Sequence, residues 1–110
     1  MKVQNLIDEH GFKLLSKVDT DRDITGLQCC DLLSWVMANG KADNAWITVQ
    51  THNNIIAVAS LLDFACVIVP EGIDVPANVL EKATEEDVLL LGTEMGSYDI
   101  FKCLYEAGLK

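Results

Sequence analysis

Ala45-Trp46-Ile47-Thr48-Val49, Gln50-Thr51-His52-Asn53-Asn54, Ile55 to Asp63 and, after Phe64, Ala65-Cys66-Val67-Ile68-Val69-Pro70 follow one another along the chain. An apolar run short enough for a strand meets five polar residues. A longer apolar run of helical length follows, and then a β-branched run stopped by proline. Neither short run alternates polar with apolar, as a half-exposed strand does. Continuous apolar strands belong to parallel sheets covered on both faces, and a helix between two of them is a crossover. This β-α-β unit decides the class.

The rest of the chain repeats the unit. Val3 to His10 reads as a helix closed by Gly11, with Val3, Leu6 and Ile7 on one face. Phe12 to Val18 reads as a strand, and Cys30 to Asn39 as a helix stopped at Asn39-Gly40. Pro76 to Glu86 is expected to be a helix with Pro76 near its first turn, Val88 to Leu91 a strand, and Ser97 to Ala107 a helix closed by Gly108. The expected order is α-β-α-β-α-β-α-β-α. The expected fold is a three-layer α/β/α sandwich with a mainly parallel sheet of about four strands.

The 110 residues suit one domain, 1–110, with no linker or repeat inside it. Half of them are hydrophobic, which excludes a disordered acidic tail. Seventeen acids against eight bases give a charge of −9, and Arg22 is the single arginine. Such a balance argues against nucleic-acid backbones and anionic membrane surfaces as partners. The most apolar stretch, Ile55 to Val69, contains Asp63 and is shorter than the ~20 residues of a spanning helix. Asp8 and Glu9 interrupt the N-terminus where a signal peptide would stay apolar, so a cytoplasmic protein is expected. Cys29, Cys30, Cys66 and Cys103 form no C-x-x-C pair and read as reduced thiols.

In open α/β sheets, ligands bind beyond the carboxyl ends of the strands. The loops expected there are Asp19–Gly26, Gln50–Asn54, Pro70–Val75 and Gly92–Gly96. Asp19-x-Asp21-x-Asp23 has the alternating carboxylates of a calcium loop, but Ile24 and Cys30 stand where an EF-hand needs glycine and glutamate. In the same loop Arg22 either pairs with Asp21, Asp23 or Asp31 or receives an anion, and the composition favours pairing. Thr25 supplies a hydroxyl, and Gly26 a point of close backbone approach. Five polar side chains at Gln50–Asn54 exceed what a helix cap requires, and the helix N-terminus they open favours anions. The sequence contains no nucleophile elbow, no phosphate-binding P-loop and no G-x-G-x-x-G, so no catalytic residue is assigned. His10 and Glu85-Glu86-Asp87 read as surface or helix-end residues.

Asp21-Arg22-x-x-Thr25-Gly26, with the helix Asp31-Leu32-Leu33-Ser34-x-Val36-Met37-Ala38 after it, resembles the DRTGG domain, which is named for such residues. Trp46-Ile47-Thr48-Val49-Gln50-Thr51-His52-x-Asn54-Ile55 is similar to that family's central strand-loop-helix, and the likeness covers nearly the whole chain. Leu27 stands where the motif has its second glycine, which puts a backbone approach to ligand at that position in doubt. The resemblance implies a fold like that of the N-terminal domain of HPr kinase/phosphorylase. It also implies a regulatory or structural module of the kind found beside CBS domains in regulated inorganic pyrophosphatases and in phosphotransacetylase-type proteins, often at a subunit interface.

The expected function is therefore a non-catalytic regulatory module that forms a homodimer and takes a small anionic or nucleotide-like ligand. Asp21, Arg22, Thr25, Gly26, Gln50, Thr51, His52, Asn53 and Asn54 are its candidate surface, with no cofactor and no metal. The alternatives are a pure interaction domain without ligand, in which Trp35, Trp46 or Tyr105 lies at a dimer face or in the core, and a small hydrolase using His52 or a metal site at Asp19, Asp21 and Asp23.

Overall fold

A computed structural model of the chain describes residues 1–109. Its elements are α1 (Val3–His10), β1 (Lys13–Leu14), β2 (Gly26–Cys29), α2 (Leu33–Asn39), β3 (Asn44–Ile47), α3 (Asn53–Leu61), β4 (Cys66–Val69), α4 (Ala77–Glu85), β5 (Leu90–Gly92) and α5 (Ser97–Glu106). The sheet has five strands in the order β1-β5-β4-β3-β2. β2, β3, β4 and β5 are parallel, and β1 is antiparallel to β5.

Each step from β2 to β5 moves to the next neighbour in one direction. Crossovers of one hand then put α2, α3 and α4 on the same face. Their apolar residues, among them Val36, Ile55, Ile56, Val79 and Ala83, pack on Trp46, Val67, Val69 and Leu90. The opposite pleats, Ala45, Ile47, Cys66, Ile68 and Leu91, lie under Val3 and Leu6 of α1 and Ile100 and Leu104 of α5. The α/β/α sandwich is thus realised, with both faces of the central strands covered.

The expected count of four strands is corrected to five. The missed strand is β2, whose Gly26-Leu27-Gln28-Cys29 is half exposed at a sheet edge and lacks an apolar run. The expected strand Phe12–Val18 shrinks to Lys13–Leu14. Phe12 turns into the core. Beyond Leu14, the Ser16 hydroxyl takes over the pairing: it donates to the Val88 carbonyl at 2.7 Å and accepts the Leu90 N–H at 2.9 Å. α2 begins at Leu33 rather than Cys30, and Pro76 stands at the N-cap of α4, just before its first turn. Gly11 closes α1 in the left-handed region, φ 71°, with its N–H on the Leu6 carbonyl.

Asp43, Asp63 and Asp87 also adopt positive φ, 66°, 56° and 57°. Each stands in a turn between a helix and the next parallel strand, a conformation that aspartate tolerates better than most residues.

Candidate functional site

The carboxyl ends of β3 and β4 open into a cleft of about 570 Å³ between the starts of α3 and α4. Thr51, His52, Asn53 and Asn54 line it from the α3 side, and Pro76, Asn78 and Val79 from the α4 side. Neither helix receives a side-chain cap, and neither has an acidic residue in its first turn. Pro76 has no side-chain acceptor to offer. The first-turn N–H groups of two adjacent helices therefore lack side-chain acceptors beside one cleft, and both helix dipoles favour negative charge there. No carboxylate, lysine or arginine lines it, in a chain of net charge −9.

Asp31 braces this end of the sheet. Its carboxylate accepts the Thr48 hydroxyl at 2.8 Å and the Val49 N–H at 2.9 Å. The Gln50 amide in turn donates to the Asp31 carbonyl at 3.2 Å. Gln50 is thus tied to the α2 side of the loop, and it does not line the cleft with the other four polar residues. Sequence reasoning missed both Asp31 as the brace and Asn78 as a contributor. Asn78 looks like an ordinary residue of a first helical turn. The available signal was the adjacency of β3 and β4, which sets the helices that follow them side by side.

The loop Asp19–Gly26 lies elsewhere. It enters β2, and Arg22 reaches the turns that precede β3 and β4, so it sits at the amino ends of the parallel strands. Asp21, Arg22, Thr25 and Gly26 are therefore not part of one surface with Thr51, His52, Asn53 and Asn54. The expectation placed this loop at the carboxyl edge because β2 was unseen and β1 was read as parallel.

At the amino edge every charge of the motif is engaged. Arg22 Nη2 donates to Asp43 Oδ1 at 3.0 Å and to the Asp63 carbonyl at 3.1 Å, and Nη1 stands 3.3 Å from Asp63 Oδ1. Its partners are two left-handed turn aspartates, not Asp21, Asp23 or Asp31. Lys2 Nζ takes Asp21 at 2.9 Å and Asp23 at 3.5 Å. The hydrogen bond between Lys2 and Asp21 raises the lysine's pKa and lowers the carboxyl's. Asp19 accepts the Asp21 N–H at 3.0 Å, a self-contained turn. Thr25 donates its N–H to the Asp43 carbonyl at 3.0 Å. Among the described residues, no three His, Cys, Asp or Glu stand together as a metal site.

The exposed apolar side chains divide the tryptophans. Trp46 is fully buried, whereas Trp35 is 57% and Leu32 63% exposed on and beside α2. No helix among the described residues is long and apolar enough to cross a membrane.

No protein-family profile matches the chain, and no curated protein matches it. Among solved structures, the chain superposes with a TM-score of 0.69 and 12% identity on the CBS and DRTGG domains of the regulatory region of a Clostridium perfringens pyrophosphatase. The chain has a DRTGG-like fold. The match covers 91% of this chain and 44% of that one, so the chain spans less than half the length of its neighbour. The neighbour was solved in complex with its activator, diadenosine tetraphosphate.

Proposed function

We propose that the chain is a non-catalytic regulatory module whose effector is a small phosphate-bearing or nucleotide-like anion held in the cleft between α3 and α4. The observation that carries this reading is the polar cleft, free of carboxylates, onto which two uncapped helix N-termini open. Thr51, His52, Asn53, Asn54 and Asn78 supply side chains that can hydrogen-bond phosphate, ribose or base. The DRTGG-like fold, in a neighbour solved with a dinucleotide activator, supports the class of ligand. The ligand acts by binding one arrangement of the Thr48–Asn54 loop and its Asp31 brace better than others. Arg22 organises the opposite edge and takes no part in recognition.

Titration calorimetry with ATP, AMP, diadenosine tetraphosphate and inorganic phosphate tests this. Asn78→Asp puts a carboxylate at the α4 N-terminus, stabilises the helix slightly and repels the ligand, so affinity is expected to fall at least about tenfold. Absence of heat and of chemical-shift change at millimolar concentrations of all four ligands overturns the reading.

A homodimer is proposed on a separate observation. Leu32, Trp35 and Met37 are exposed on and beside α2 and Val49 just beyond the end of β3, apolar side chains that a second copy would cover. Sedimentation at tens of micromolar is expected to give a dimer, and Trp35→Glu a monomer of unchanged fold. A wild-type monomer under those conditions removes the proposal. The site of action is proposed to be the cytoplasm, where four unpaired cysteines persist as thiols.

A further inference from the structure

The cleft between α3 and α4 has a neighbour. α4 is the last helix on its face, and β1 lies beyond it at the edge of the sheet. Between α4 and β1, past the ends of β4 and β5, a second cleft of about 290 Å³ opens. Leu15, Val75 and Leu80 give it apolar walls, and Lys13, Asp74 and Glu94 bring charges to it. None of the three charges forms an ion pair among the described residues. A single ridge divides the two clefts: Val75 and Leu80 line the second, whereas their chain neighbours Pro76 and Val79 line the first.

The turn Pro70–Ile73 sets Glu94 in place. Glu71 and Gly72 both adopt positive φ, 59° and 65°. Their N–H groups donate to the Met95 carbonyl at 2.9 Å and the Thr93 carbonyl at 2.8 Å, on either side of Glu94. The Glu94 carboxylate then lies over Gly72, where a Cβ would collide with Oε2. Glycine serves at 72 both for its φ and for this berth.

The clefts differ in charge. No carboxylate lines the first, and two line the second. A ligand that suits both is anionic at one end and carries hydrogen-bond donors at the other.

We propose that the second cleft takes the base of a purine nucleotide, guanine in preference to adenine, whose phosphate occupies the first. This rests on the anion cleft described above and adds the part of the ligand that decides specificity. The phosphate meets the N–H groups at the start of α4. The ribose crosses Pro76, and Asp74, two residues back, accepts from its hydroxyls. The base lies among Leu15, Val75 and Leu80, in a space that suits a base rather than a whole nucleotide. Its polar edge meets Glu94 and Lys13. An ionised carboxylate only accepts and an ammonium only donates. Guanine matches that pair: its N1–H and 2-amino group donate side by side, and its O6 accepts. Adenine presents one donor beside a ring nitrogen that a carboxylate repels.

The test is calorimetric and NMR titration of the full chain with inorganic phosphate, ribose 5-phosphate, AMP and GMP. GMP is expected to bind about tenfold or more tighter than ribose 5-phosphate, with AMP between them. Ribose 5-phosphate is expected to shift the Asn54 and Asn78 amides alone, and GMP those of Gly72 and Gly92 as well. Glu94→Gln, an exposed change, is expected to cost GMP about tenfold and to leave ribose 5-phosphate unaffected. Ribose 5-phosphate binding as tightly as GMP, or AMP binding tighter, overturns the assignment of the base and leaves the anion cleft standing. GMP affinity indifferent to Glu94→Gln does the same. No binding by any of the four removes the anion cleft and this proposal with it.

Discussion

Trp46→Ala is expected to destabilise the fold by about 3–5 kcal/mol, a large part of the roughly 5–15 kcal/mol that a domain of this size possesses. Trp46 is fully buried in the centre of β3. Its ring meets Phe64 edge to face, with centroids 5.6 Å apart, and covers the α2–α3–α4 side of the sheet. Its Nε1–H donates to the Cys30 carbonyl at 2.8 Å, which ties the segment after β2 to the middle of the sheet. Alanine removes the packing, opens a cavity and leaves that carbonyl without its donor. Trp46→Phe separates the contributions: it keeps most of the packing and loses the hydrogen bond, for about 1–2 kcal/mol. Urea unfolding followed by circular dichroism checks both variants, and a Trp46→Ala loss below about 1 kcal/mol contradicts the packing described.

The β3–α3–β4 unit was legible because a strand covered on both faces has to be apolar throughout, and Trp46-Ile47 and Cys66-Val67-Ile68-Val69 are so. The edges were illegible for the opposite reason. β2 is half exposed and contains glycine and glutamine, so neither apolar run nor strict alternation marks it. β1 is two residues long, and the pairing it omits is made by a serine side chain. No periodicity encodes such a substitution.

The candidate site was half legible. Thr51-His52-Asn53-Asn54 was read correctly as a polar junction at the carboxyl edge, because a strand-to-helix loop in a parallel sheet has nowhere else to lie. Arg22 was read correctly as held within the protein and incorrectly in its partners. Asp43 and Asp63 lie twenty-one and forty-one residues further along the chain. Two turns became neighbours only when β3 and β4 paired, and local sequence holds no record of that.

Alkaline pH is expected to unmake the fold through Cys66. The thiol is fully enclosed at the start of β4, and burial pushes its pKa from 9.0 up to about 12, with Arg22 pulling weakly the other way. Below pH 9 the thiol is protonated in both states and has no effect on stability. Between pH 9 and about 12 the unfolded chain releases this proton and the folded chain keeps it, so stability falls as pH rises. One group contributes a slope of about 1.4 kcal/mol per pH unit, or roughly 4 kcal/mol over the whole window. Cys29 and Cys103, raised less and also by burial, act in the same direction. Other groups titrate in this range too, so the comparison that isolates Cys66 is with Cys66→Ala. That variant starts about 1 kcal/mol less stable at pH 7, having lost a small buried group. Its stability is expected to decline more gently above pH 9, so that the two proteins cross before pH 12. Urea midpoints measured from pH 7 to 11 decide it: parallel curves place the Cys66 thiol within reach of water, contrary to the closed packing of β4 between α1 and α5 on one face and α2, α3 and α4 on the other.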